Sequence, residues 1–531
     1  TATLVSLHAV WQGFTSADLA TATIGNAAYL SSYLVPVFFL ALLPLLREES
    51  LSSRSVVQSR ALHMLILAVL LLAVMFTQAR AGVVGFGAGV GTALLLFVFL
   101  GDKKGQTFSV SHTRLKWAAG ILVAAGIAAS AVLLFAPEIA APVLPDRLSG
   151  LLNFDIQERT ASARVLVWRV AREGWKERLL FGWGPENFNI LFNAHYDPNL
   201  YIVEPWFDRA HNFLFDIGST TGGAGFLSYI SMFGAAAFLV IRQWKEGRTS
   251  FGVMNIYSAL LVAHLAQNMF TFDTLSSFLV ITFVFGSIAA HERDATHTSV
   301  LKKSFASVPR AFPKSFLKGF AGLSVLFFVS YLLVVKPYLA NAEAHKGWEL
   351  LRGGAGDELA IQQFEKSLSY NLPYSIDTRR FIAEYVFEFL KQGGNRPASS
   401  LQRLTEYAIK QMTENMRAEP QNVKWVMYRG ELYMVGAQKF DSALIKNAEA
   451  DFLRAKDMSG GRPQIYLELA EARKRQGDTE GAWKHLDFIL QKIPEFAFAH
   501  ANAAVLAVDT GNREREEQEM IWLRAHGELS H

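Results

Sequence analysis

RTASARVLVWRVAREGWKERLLFGWGP at 159–185, continued by DRAHNFLFDIGSTTGGAG at 208–225, is a charged interruption in a chain of long apolar segments. Apolar runs of about 20 residues, the length that crosses a bilayer, lie on both sides of it. They cover about 26–46, 57–77, 81–100 and 117–136 before it, and 213–241, 252–270, 275–291 and 318–336 after it. A soluble core could also bury apolar helices, but eight in series joined by basic loops favour a membrane. Composition agrees: 18% of residues are charged, against about a quarter in soluble proteins. The fold class read from this is all-α. A multi-pass transmembrane helical bundle carries an extracytoplasmic loop domain and is followed by an α-solenoid. The expected division is 1–136 transmembrane, 137–212 loop, 213–336 transmembrane and 337–531 soluble helical repeats. Thr1–Phe14 reads as the tail of an apolar helix, so earlier spans are expected upstream.

Short loops rich in Lys and Arg face the cytoplasm. The connections at 47–60, 101–116, 242–249 and 292–318 are basic, whereas the alternate ones carry only Arg80 or, near 271–274, no basic residue. Residues 137–212 and 337–531 are therefore expected on the extracytoplasmic side. Arg80 stands on that side at the end of a span. It is either an interfacial arginine reaching for headgroups or a fixed cation of a site.

Within the charged stretch, Arg159 to Arg178 has the pattern of an amphipathic helix. Arg164, Trp168, Arg172 and Trp175 recur at spacings of four, four and three and so share a face. Guanidinium forks there would suit phosphate oxygens, with indole rings beneath them or against sugars. The alternative is a helix lying on the membrane surface. Gly182-Trp183-Gly184-Pro185 must be a turn, and it is no phosphate-binding Walker loop because no Gly-Lys-Ser/Thr follows. Further on, His195, Glu204, Asp208, Arg209, His211 and Asn212 gather before the chain re-enters the membrane. A neutral His211 could take a proton from a hydroxyl, or merely cap the helix. Gly218, Gly222, Gly223 and Gly225 allow close packing or a break just inside the membrane. The two histidines, sixteen apart, make no recognised zinc pattern, and the chain contains no cysteine. The net charge of +4 does not suggest nucleic acid as a partner.

Several of these pieces, in this order, resemble the O-antigen ligase and O-antigen polymerase superfamily of bacterial membrane glycosyltransferases. They are Gly25-Asn26 before a span, Thr77-x-x-Arg80-Ala-Gly, Arg164-x-x-x-Trp168, Gly182-Trp183-Gly184, and His211-Asn212 before a glycine-rich span. The likeness covers roughly residues 1–290. One departure is that family members often carry an arginine shortly before the Gly-Asn pair, where this chain has Asp18-Leu-Ala-Thr-Ala-Thr-Ile24. The resemblance implies an enzyme of the bacterial cytoplasmic membrane that takes a glycan from undecaprenyl pyrophosphate. It would transfer that glycan on the outer face to lipid A core, a growing polymer or a protein. Arg80 and Arg164 would grip the pyrophosphate and His211 would act on the acceptor hydroxyl. Trp168, Arg172, Glu204, Asp208, Arg209 and Asn212 would line the substrate. No metal or other cofactor is expected.

From residue 337 the pattern is one of helical pairs. Ala470 and Ala504 stand 34 apart, as do Gly477 and Gly511, which is the tetratricopeptide period; generic helical hairpins are the alternative. Trp348, Ala360, Phe364 and Pro373 suggest an earlier unit, and Trp425, Tyr428, Gly430 and Ala455 another. Such an array is expected to hold a protein partner. A non-catalytic scaffold of polysaccharide export is the rival reading of the whole chain. A transporter is a third, for which only His264 has the expected mid-membrane placement.

Overall fold

The computed structural model describes residues 1–15, 19–46, 54–101, 114, 117–122, 159–202, 206–301, 324–325, 327–353, 356–372, 375–392 and 397–526. Every regular element among them is helical. The chain divides into two compact units: Thr1–Phe188 with Phe207–Ser307, and Asn189–Trp206 with Val308–His531. Of the loop expected at 137–212, residues 189–202 and Trp206 group with the C-terminal helices.

The first unit contains α1 (Ala2–Thr15), α2 (Ala27–Leu42), α3 (Arg54–Thr77), α4 (Arg80–Leu100) and α5 (Arg159–Glu177). Its second part holds α7 (Phe213–Lys245), α8 (Phe251–Asn268) and α9 (Leu275–Leu301). Between these parts runs α6 (Phe188–Ala194). Among the described residues four helices are long and apolar enough to cross a membrane, Ala27–Leu46, Gln58–Thr77, Arg80–Leu100 and Phe213–Lys245; Leu275–Ala290 is a shorter apolar one. The spans expected at 117–136 and 318–336 fall largely outside the described residues. Helix α8, also expected to span, packs on α2, α4 and α7 instead of being purely apolar. Its last turn buries His264, Gln267 and Asn268, which protein neighbours can satisfy and lipid could not.

Small residues set the helix spacing. A Cβ on Gly82 would meet Ser31 Oγ at 1.6 Å, and one on Gly89 would meet Phe39 at 2.4 Å. Helix α4 therefore lies backbone-close to α2, which is how helices associate where lipid supplies no hydrophobic drive. Gln267 Nε2 donates to Ser32 Oγ at 2.8 Å and ties α8 to the same seam.

Among the described residues from Lys336 on, the second unit stacks ten helices: α10 (Lys336–Arg352), α11 (Asp357–Ser369), α12 (Ser375–Gln392), α13 (Ala398–Ala418), α14 (Val423–Lys439), α15 (Leu444–Met458), α16 (Pro463–Arg475), α17 (Thr479–Lys492), α18 (Ala497–Thr510) and α19 (Arg513–Ala525). Each of these helices packs on the next one, and several also touch the next but one. Helices α16 and α18 begin 34 residues apart, as do α17 and α19. Gly477 and Gly511 both take positive φ just past their helices. Phe364, Ala360 and Ala455 are fully buried, and Trp348 stacks on Tyr385 at 4.9 Å; Pro373 is outside the described residues.

Candidate active site

The site is built on a broken helix. α7 is interrupted at Gly222 (φ 68°, ψ −172°), a conformation open to glycine and closed to other residues. The interruption frees backbone groups in the first half of α7, and the turn after α5 satisfies them. Trp183 N–H donates to Ser219 O at 3.0 Å and Gly184 N–H to Thr220 O at 2.7 Å. In the other direction Gly223 N–H donates to Leu179 O at 2.7 Å, and Ala224 N–H to Leu180 O at 3.1 Å. The two strands of backbone lie so close that a Cβ on Gly182 would stand 2.5 Å from the Thr220 carbonyl carbon. The Gly-Trp-Gly turn thus docks onto the helix break, and Trp183 Nε1 closes the end of α5 by donating to Gly174 O at 2.8 Å.

Helix α5 forms where its pattern places it, ending one residue short of Arg178. Its indoles face protein. Trp168 stacks on Phe215 at 5.7 Å, and Trp175 lies against Gly218, where a Cβ would come within 2.5 Å of the ring. Arg172, grouped with them by spacing, is exposed and engages Glu173 at 3.0 Å.

The turn before α7 is held from both sides at Ala210. Trp168 Nε1 donates to its carbonyl at 2.9 Å, and its N–H donates to Asp216 Oδ1 at 3.0 Å. The next residue, His211, has φ 52°, a left-handed conformation that costs a residue with a Cβ on the order of 1–2 kcal/mol. Its ring stands edge-on to Phe272 at 5.2 Å and to Phe207 at 5.8 Å. Burial lowers its pKa, the Arg164 cation lowers it further, and Asp208 partly offsets both. His211 is therefore neutral at physiological pH and can accept a proton. Capping belongs to Asn212: its Oδ1 accepts from Leu214 N–H at 2.9 Å, and the side chain is buried.

Arg209 bonds Glu186 and, at 3.2 Å, Asp216 Oδ2. Burial opposes its charge, but the two carboxylates prevail and raise its pKa. Its guanidinium lies 5.5 Å from the Phe272 ring. Tyr29, at the start of α2, is within electrostatic reach of Asp208 and Arg209 and touches Phe272 at 5.6 Å. Arg80 opens α4, half-buried, and α4 meets α2 at Ser31 through Gly82. Asp208 is exposed. Glu204 lies outside the described residues, and His195 belongs to the second unit. Among the described residues no group of three or more His, Cys, Asp or Glu could hold a metal ion.

Sequence reasoning passed over Glu186, Asp216, Phe272 and Asp273. Asp273 receives Tyr229 Oη–H at 2.9 Å and Ser277 Oγ–H at 3.0 Å, and lies 3.1 Å from His264 Nε2. Burial opposes its ionisation, but the bonds from His264, Asn268 and Tyr229 hold the carboxyl down to about 2. This anchors the short turn that presents Phe272 to His211. A lone acid in an outer turn otherwise free of charge was the available signal.

Residues 65–230 match a family model described as O-antigen ligase. The matched segment carries Arg80, Arg164 and His211, both partners in the interlocked helix break, and most of α3. It supports the O-antigen ligase superfamily for this chain, and with it a membrane protein of the glycosyltransferase type. No curated protein matches the chain.

Proposed function

We propose that the protein transfers a glycan from undecaprenyl pyrophosphate to an acceptor hydroxyl on the outer face of the bacterial cytoplasmic membrane. His211 carries the reading: a neutral imidazole, kept in a strained backbone conformation by bonds on both sides of Ala210, beside a cationic neighbour. In the proposed step His211 takes the acceptor's hydroxyl proton, and the acceptor oxygen bonds to the anomeric carbon of the glycan. The bond from that carbon to the pyrophosphate oxygen breaks, and its electron pair leaves with the lipid pyrophosphate. Arg164 and Arg80 would stabilise the charge that develops there, in place of a metal. Arg209, held by Glu186 and Asp216, would shape the pocket wall beside Phe272, with Trp168 and Asn212 fixing the turn.

The C-terminal helices are read as tetratricopeptide-like repeats on the same extracytoplasmic side. The 34-residue spacing of the last four helices and the paired positive-φ glycines support this.

The test is transfer in vitro from a lipid-pyrophosphate glycan, with the product's mass measured. Wild type should yield acceptor plus glycan, and alanine at Arg80, Arg164 or His211 should slow transfer by about tenfold or more while membrane insertion persists. Unimpaired transfer in all three variants would leave the scaffold reading standing. EDTA should leave the rate unchanged; inhibition reversed by added metal would sink the metal-free step.

A further inference from the structure

The second unit contains a cavity of about 540 Å³, lined both by its loop segment and by its helical array. Arg462, fully buried between α15 and α16, holds the segment to the array. Its Nη2 donates to Asn193 Oδ1 at 2.6 Å, and its guanidinium lies 4.2 Å from the Tyr196 ring. A Cβ on Gly461 would come within 2.3 Å of the Tyr196 carbonyl oxygen, so the two backbones touch there. Immediately after that contact Asp197 and Asn199 line the cavity. Gly460 and Gly461 line it without side chains, which leaves the space open.

The lining is fixed before any ligand arrives. Asp197 Oδ1 accepts from Asn199 N–H and from Asn199 Nδ2, both at 3.0 Å. Tyr466 is buried, its hydroxyl donates to Gly460 O at 2.7 Å, and its ring stacks on Phe488 at 4.4 Å. Lys492 is exposed, with Nζ 5.8 Å from the Phe488 ring. The rings offer hydrocarbon surface, and their negative π faces attract polarised C–H groups. With them come a carboxylate that accepts, an amide that donates and accepts, and an ammonium that donates. Among the described residues of the lining, Asp197 and Lys492 are the charged ones and offset each other. Neither a phosphate nor a cationic peptide finds an excess of opposite charge there. A pyranose carries C–H groups on its faces and hydroxyls around its edge, which matches this lining. The volume lies within the range of ligand pockets, about 300–1,000 Å³.

We propose that this cavity binds a short stretch of uncharged glycan. The proposal does not depend on the transferase reading, because it concerns binding by the second unit alone. The experiment uses the full chain in lipid nanodiscs and saturation-transfer NMR. Its probes are neutral disaccharides and trisaccharides of hexose, 6-deoxyhexose and N-acetylhexosamine, with inorganic phosphate and trilysine as charged competitors. At least one neutral probe should bind wild type. Phe488→Ala should weaken that binding about tenfold, and Asn199→Ala about threefold to tenfold through one lost hydrogen bond. Asn199 is exposed on the loop segment, so a damaged helical array in Phe488→Ala cannot imitate its effect. His211→Ala should bind as wild type does, which separates this cavity from the candidate active site. No binding by any neutral probe, or binding that either cavity variant leaves unchanged, overturns the proposal. Displacement of the sugar by phosphate or trilysine at equal concentration overturns it too. Wild type that binds sugar in this cavity yet transfers none removes the transferase reading and leaves this one standing.

Discussion

Two turns in this protein have nearly the same backbone and different residues. Gly25 takes φ 79°, and Asn26 then caps α2 from an extended conformation, accepting from Ala28 N–H at 2.9 Å. His211 takes φ 52°, and Asn212 caps α7 in the same way. Glycine fills the first position without strain, and a Cβ there would meet nothing within 4 Å. The second position has the same backbone requirement and holds a histidine. Retained strain of this kind, with surroundings that enforce it, points to a use for the side chain.

Substitutions at four positions test that contrast. His211→Gly should relieve the backbone and remove the imidazole. Transfer should fall on the order of 10²- to 10⁴-fold, the usual contribution of a general base, with the melting temperature unchanged or raised. A well-folded glycine variant that still transfers breaks the comparison. Arg164→Ala should cost about tenfold to a hundredfold, and Arg164→Lys nearly as much, because an ammonium has no planar fork. Removing that cation lets the pKa of His211 rise towards its ordinary value. The acid limb of the pH–rate profile should then move to higher pH; a shift in the opposite direction would contradict the proximity. Trp168→Phe keeps a ring for Phe215 and loses the bond to Ala210. A drop of about three- to tenfold is expected from one neutral hydrogen bond, and an unchanged rate would mean that Asp216 alone fixes the turn. Gly25→Ala should lower stability by about 1 kcal/mol and leave the rate per folded molecule intact, as read by thermal melts and turnover together.

The helices of the first unit were legible because apolar length and periodicity are local properties. Helix α5 appears where Arg164, Trp168 and Trp175 place it. Spacing located Arg172 on the same helix but could not say that α7 would claim the indoles and leave that guanidinium to Glu173. His264, given a mid-membrane place from the sequence, sits in the last turn of α8 and helps to support Asp273. The path of 189–202 was not legible at all. That segment has no strong period, and its place depends on Arg462, which stands 269 residues from Asn193.

The break at Gly222 also acts as a depth gauge. A 33-residue helix is about 50 Å long, well beyond a hydrocarbon thickness of about 30 Å. The part after Gly222, Gly223–Lys245, is about 35 Å and spans that thickness without help. Bonded to the break is the turn bearing Leu179, Leu180 and Phe181, whose apolar side chains point away from the protein. In the proposed transferase, lipid tails would begin at that level. The first turns of α7, with Asp216 and the His211 turn above them, would then stand among headgroups and water. The pyrophosphate of the proposed donor would reside at that height while its isoprenoid tail stayed in the membrane. Protons taken up by an imidazole there would have bulk solvent within reach.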